Sequence, residues 1–263
     1  MTHAPTPQFD SGYRCEIGPV RERNEDACLT ITAQFGGHFD LQPFGLYVVA
    51  DGMGGHDAGH VASNAATRAF AEFVLSGLYF PLLRRRPPPR EADVLDLLER
   101  AVFAAHDAVL PGAGNGGTTL TAALVLGRRL YVAHVGDSRA YLVAGAELRL
   151  LTHDHSLVRR LQDTGQLTAE DARTHEYRNV LLQALGQASA LSADTFALDL
   201  PAEGRLLLCS DGLCGVVPRE QLAATLTGPG SAQELADRLY ETALAADSRD
   251  NITAVVVAFR DWD

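Results

Sequence analysis

Between residues 119 and 151 the chain runs through four short β-branched or apolar segments, Thr119–Leu126, Arg129–Val135, Arg139–Val143 and Glu147–Leu151. Gly-Arg, Gly-Asp-Ser and Ala-Gly separate them. Segments this short, broken by turn residues, predict strands joined by hairpins, here an antiparallel meander. Further strands are predicted at Leu46–Ala50, Phe196–Leu200, Arg205–Cys209 and Asn251–Phe259. Residues 58–78, 94–110, 218–226 and 232–246 carry apolar residues at helical spacing. Residues 152–190 are more polar and also read as helical, and residues 1–12 read as a loose lead-in. Helices are grouped and strands run in series without βαβ alternation. This points to an α+β layered domain with antiparallel sheets rather than a doubly wound one.

The bulk numbers narrow the function. Of 263 residues 46% are hydrophobic and 21% charged, enough for a sizeable core and too apolar for disorder. Asp and Glu number 33 against 22 Lys and Arg, a net charge of −11, which disfavours nucleic-acid or anionic-membrane partners. No apolar stretch reaches the ~20 residues of a membrane span. Met1–Asp10 lacks the basic and apolar regions of a signal peptide, so a cytoplasmic location is expected. Cys15, Cys28, Cys209 and Cys214 form no C-x-x-C pair and read as free thiols in a reducing compartment. The stretch Leu83–Arg90, LRRRPPPR, cannot be helical through three prolines and reads as a solvated basic loop.

The carboxylates are placed more informatively than they are counted. Asp51, Asp137, Asp211 and Asp250 each sit at the end of an apolar strand. Each alone is an ordinary turn residue. Four of them gathered at one edge of packed sheets would resist ionising unless a cation sat between them, and hard divalent ions suit such oxygen ligands. Glu25 and Asp26 add two adjacent carboxylates before the apolar CLTI run. Neighbours on a strand point to opposite faces, so both would not grip one ion. On an extended strand Arg21 would share a face with Glu25, where its guanidinium could clasp a phosphate. His56-Asp57-Ala58-Gly59-His60 imitates a zinc-protease helix, but Asp stands where the Glu base belongs and Gly59 weakens the helix. In His153-Asp154-His155 a helix-capping role for Asp154 or Ser156 is expected rather than metal binding.

Eight motifs in order then resemble one family. RERNEDA (21–27), VVADGMGGHDAG (48–59), GTTL (117–120), VGDSRAYL (135–142), LTHDHSLV (151–158), RNVLLQALG (178–186), LLLCSDGL (206–213) and DNITAVVV (250–257) resemble the metal-dependent Ser/Thr protein phosphatases of the 2C type, bacterial branch. The resemblance implies a four-layer αββα sandwich, with two antiparallel sheets flanked by helix pairs and a dinuclear Mn²⁺ or Mg²⁺ site at one end. It implies one catalytic domain over 1–263 with a flap at about 152–190. By position Asp51 bridges both ions, joined by the Gly52 carbonyl, with Glu25, Asp211 and Asp250 as further ligands. Asp26 matches a carboxylate near the metals, Asp137 the ligand of a weaker third ion, and Arg21 the phosphate-binding arginine. Met53 stands where relatives outside bacteria often have a His after the Asp-Gly pair, and Gln183 where many carry Arg. The implied activity is hydrolysis of phosphoserine and phosphothreonine in proteins by a metal-activated water, opposing a Ser/Thr kinase, by a monomer that binds no nucleic acid and inserts in no membrane. A phosphoprotein-binding module on the same fold is the alternative. The full set of matching carboxylates weighs against it.

Overall fold

The computed structural model describes residues 6–35, 41–54, 58–84, 87–111, 114, 116–168, 171–172, 175–187 and 191–262. His56 and Asp57 of the imitation zinc motif, and Arg85 and Arg86 of the basic loop, lie outside the described residues.

Eleven strands are described. In chain order they are β1 (Thr6–Glu16), β2 (Asp26–Ala33), β3 (Phe44–Met53), β4 (Gly117–Thr118), β5 (Leu120–Leu126), β6 (Arg129–Val135), β7 (Arg139–Ala144), β8 (Glu147–Leu150), β9 (Asp194–Asp199), β10 (Glu203–Cys209) and β11 (Ile252–Trp262). One sheet runs β1-β11-β10-β7-β8 and the other β2-β3-β5-β6-β9, with β4 on β3. Every pairing between these strands is antiparallel.

Strand parity explains the layers, because successive side chains point to opposite faces. On β3, Leu46 and Val48 meet α1 (Ala58–Val74) and α3 (Glu91–Val109) through Ala62, Ala66, Phe70 and Leu98. Tyr47 and Val49 point the other way, into the space between the sheets. On β10 and β11, Leu206, Leu208, Val255 and Val257 fill that same space. Leu207, Cys209, Ala254 and Val256 face α6 (Arg219–Thr227) and α7 (Ala232–Ala245). The result is the expected helix–sheet–sheet–helix stack. Each large apolar side chain fully buried in it contributes about 1.5–3 kcal/mol.

The structure corrects four sequence expectations. Residues 6–12 are not a loose lead-in but the start of β1, whose pairing with β11 begins at Thr6↔Trp262. An edge strand tolerates Pro7 there, since a missing N–H can face outward. The 119–151 meander is split: β5 pairs β6 in one sheet and β7 pairs β8 in the other, so the 136–138 turn crosses between sheets. Among the described residues of 152–190, turns and isolated bridges predominate beside the seven-residue helix α4 (Leu157–Asp163) and a helical pair at 171–172. The helix expected to Leu78 gives way at Leu75–Tyr79 to a π turn and then α2 (Phe80–Leu83). A short helix the sequence did not suggest, α5 (Asp211–Cys214), follows β10 directly.

Candidate metal centre

The alternation that fills the interior with Tyr47, Val49, Leu208 and Val255 continues to the sheet ends, but there its residues turn polar. Asp26 on β2 stands directly opposite Asp51 on β3. Ser210 and Thr253 arrive from the other sheet, and their hydroxyls each donate to Asp26 Oδ2 at 2.7 Å. Asp26 is almost completely buried, and its Oδ1 has no hydrogen-bond partner. Burial, set against those two hydroxyls, raises its pKa to about 7.

Asp51 is fixed by its backbone. Its N–H donates to Thr119 Oγ1 and its C=O accepts from Thr119 N and Thr118 Oγ1, all at 2.9 Å. Its carboxyl is pushed well above the usual range, first by burial and then by Asp26, Asp211, Asp137 and Asp250. Asp211, at the first turn of α5, is raised by burial and by Asp250, with Asp51, Arg21 and Arg139 opposing the rise. Asp137, in the inter-sheet turn, is raised to about 8 by burial and by Asp211 and Asp154. Four acidic groups, Asp26, Asp51, Asp137 and Asp211, are therefore held above their usual range within one electrostatic neighbourhood, first by burial.

Asn251 organises the remaining ligand candidates. Its side-chain carbonyl accepts the Glu25 N–H at 2.8 Å, and its amide donates to the Ile17 and Arg23 carbonyls at 2.8 and 2.9 Å. Glu25 C=O accepts the Gly52 N–H at 3.2 Å. The Glu25 carboxylate lies against Gly59 at the start of α1, where a Cβ would come within 2.6 Å of Oε1. Glu25 and Asp26 thus face different ways, as strand alternation requires.

Arg21 reaches the site by another route than its predicted strand face. It lies in the turn before β2, exposed, and its Nη2 donates to Asp250 Oδ2 at 2.6 Å. Below the cluster, Arg139 holds Asp154 with bonds of 2.6–3.1 Å and donates to the Cys214 carbonyl at 3.3 Å. Asp154 is therefore an ion-pair partner, and Ser156 is the residue that caps α4, accepting from Arg159 N. Gln183 accepts the Ser192 N–H at 2.7 Å. Met53 ends β3 beside Gly117.

The residues fit a divalent cation. The donors are hard oxygens, Asp26 buried and Glu25, Asp51, Asp137, Asp211 and Asp250 half-buried, and the orphaned Asp26 Oδ1 needs a positive or proton-donating neighbour. Among the described residues, no three His, Cys, Asp or Glu side chains close on a common point as a rigid metal cage would. Magnesium-like ions keep several waters and take only one or two carboxylates each, so such a cage is not required. Sequence reasoning found the carboxylates but missed Ser210, Thr253, Asn251 and the Arg139–Asp154 pair. The first and third sit beside Asp211 and Asp250 in sequence, and that adjacency was the available signal.

Two stacked antiparallel sheets that end in clustered, partly buried carboxylates, with an arginine at the rim, fit the class of metal-dependent hydrolases of anionic substrates. Comparison with known proteins makes the class specific. Residues 21–251 match the family described as protein phosphatase 2C, and the chain belongs to that family. It is 36% identical over 249 residues to the serine/threonine phosphatase stp of Listeria welshimeri, covering 93% of this chain and 94% of the relative. It is 37% identical over 256 residues to the serine/threonine protein phosphatase PstP of Mycobacterium tuberculosis, covering 95% of this chain and 45% of that longer protein. The crystal structure of the PstP catalytic domain in complex with two manganese ions superimposes with a TM-score of 0.79 at 34% identity, covering 97% and 100% of the two chains.

Proposed function

We propose that this protein removes phosphate from phosphoserine and phosphothreonine in proteins, using divalent ions held at the acidic end of the sandwich. The observation that carries the reading is the clustering of Asp26, Asp137, Asp211 and Asp250 around the half-buried Asp51, with Arg21 at the rim. Asp51, Glu25, Asp211, Asp250 and the Gly52 carbonyl would hold two ions, Mn²⁺ or Mg²⁺. Asp26 Oδ1 would face them, and Asp137 would hold a third, weaker one. When bound, such ions supply an activated water at neutral pH and offset charge on the phosphoryl oxygens. Arg21 orients the substrate phosphate with the donors it does not spend on Asp250, in the bidentate manner arginine favours. Thr118 and Thr119 keep Asp51 in place through the reaction by bonding its backbone. Asn251 does the same for Glu25.

We read the chain as one catalytic domain with residues 152–190 as its flap. It acts as a cytoplasmic monomer against phosphoproteins made by an opposing Ser/Thr kinase. Among the described residues no helix is long and apolar enough to cross a membrane. The test is release of phosphate from phosphoserine and phosphothreonine peptides with Mn²⁺. Activity abolished by EDTA and restored by Mn²⁺ is expected. Turnover that survives EDTA, or survives Asp51→Asn with Asp211→Asn, refutes the proposal. Binding of the phosphopeptide without turnover in Mn²⁺ selects the binding-module alternative.

A further inference from the structure

A histidine outside the acidic cluster holds the turn that carries Asp137. His155 Nδ1 accepts the Gly136 N–H at 3.2 Å, and the His155 N–H donates to the Gly136 carbonyl at 2.7 Å. An acceptor at Nδ1 leaves the ring proton on Nε2, which reaches Asp194 Oδ2 at 3.1 Å. The ring packs on His134, centroids 4.9 Å apart. His134 is fully buried, and burial holds its pKa down at about 4, so it stays neutral beside His155. The His155 side chain is itself only 9% exposed.

Gly136 needs this support. Its φ of +111° is a conformation that other residues rarely adopt, and it lies where the chain leaves one sheet for the other, outside any strand ladder. The backbone of His155 and its neighbours also clasps the flap. The Leu182 N–H donates to the His155 carbonyl at 2.8 Å, the Leu157 N–H donates to the Val180 carbonyl at 2.9 Å, and Ser156 bridges Leu181. One residue thus touches both the Asp137 turn and the 180–182 segment.

We propose that His155 is a positioning residue for Asp137, fixing the Gly136 peptide from both sides and tying it to the flap segment at 180–182. The inference rests on the reading of Asp137 as ligand of the weaker cation. The two ring nitrogens have separate tasks, and two substitutions separate them. His155→Asn keeps an acceptor near the Nδ1 position and gives up Asp194. His155→Gln can reach Asp194 but leaves the Gly136 N–H without its acceptor.

The experiment is calorimetric Mn²⁺ titration of the full chain as wild type, His155→Asn, His155→Gln and Asp137→Asn. Gly136 amide exchange in EDTA is followed alongside. In His155→Gln the weak class of Mn²⁺ binding should fall about tenfold, the low end for loss of a group that orients a metal ligand, with the tight class unchanged. Its Gly136 amide should exchange faster. His155→Asn should restore both to near wild type, which a merely space-filling role would not produce. Asp137→Asn should abolish the weak class. If Asp137→Asn loses that class while His155→Gln keeps it, the positioning inference alone is overturned. It is also overturned if the two His155 variants are impaired equally, or if tight and weak classes fall together. A wild type with no weak class, or one that survives Asp137→Asn, overturns the Asp137 reading and this inference together.

Discussion

Asp26→Asn should make the metal-free protein more stable at pH 8 and less stable at pH 4, where the ionisation penalty is absent and only the cost of the buried amide remains. The Asp26 carboxyl is raised from 3.8 to about 7, mainly by burial, with the Thr253 and Ser210 hydroxyls opposing the rise. A raised carboxyl pKa means that the folded chain keeps a proton the unfolded chain has released. The contribution to stability is therefore complete below about pH 4 and is lost as pH rises through about 7. At pH 8 the rise from 3.8 to about 7 corresponds to on the order of 4 kcal/mol against the ionised form. An asparagine keeps the shape and can still accept from Ser210 and Thr253, and its amide N–H₂ would replace the orphaned Oδ1 opposite Asp51. Burying that amide costs about 1–3 kcal/mol where it is imperfectly paired, leaving a net gain of about 2 kcal/mol. For a chain of this size that is a rise of about 4–8 °C in Tm. Thermal melts in EDTA at pH 4 and pH 8 are the assay. Saturating Mn²⁺ should remove the advantage, because it offsets the same repulsion in the wild type. A variant no more stable than wild type at pH 8, or one that gains equally at pH 4, would refute the reasoning.

Two further outcomes follow from the same geometry. Arg21→Ala removes a charge-assisted contact worth about 1.5–3 kcal/mol, so kcat/KM on a phosphopeptide should drop about 10–100-fold while the melt in EDTA barely moves; steady-state kinetics check this. Gly59→Ala places a methyl 2.6 Å from Glu25 Oε1 and 2.9 Å from the Gly52 carbonyl carbon, so Mn²⁺ affinity measured by calorimetry should fall although the helix itself gains propensity.

Much of the layered fold was legible because burial of a strand on both faces leaves a short continuous apolar run. Leu46, Tyr47, Val48 and Val49 are all apolar because β3 is covered on both sides, and the run announces a buried strand. Which strands pair was not legible at 136–138. β6 and β7 are both apolar and separated by three residues, which a hairpin and an inter-sheet crossing fit equally well. The left-handed φ of Gly136 and its bonds to the distant His155 decide for the crossing. The 152–190 segment was misread for a related reason. Its polar residues find partners outside the segment, as Asp154 does in Arg139 and His155 in Asp194, and no local period encodes that.

The carboxylates of the centre were readable because Asp is a poor strand former, and its repeated appearance at the ends of apolar strands needs a reason. Their supports were not readable. Ser210, Thr253 and Asn251 are ordinary residues in sequence and acquire meaning only when the sheets bring Asp26 and Glu25 against them from more than 180 positions away.

The most direct test of the acidic centre is Mn²⁺ binding to the purified chain, counted by electron paramagnetic resonance in wild type and in Asp51→Asn with Asp211→Asn. At least two ions per chain in the wild type, and loss of both tight sites in the double variant with its fold intact by melt, is the expected result. A wild type that takes up no Mn²⁺, or a double variant that still binds two ions tightly, would contradict a metal centre built on these carboxylates.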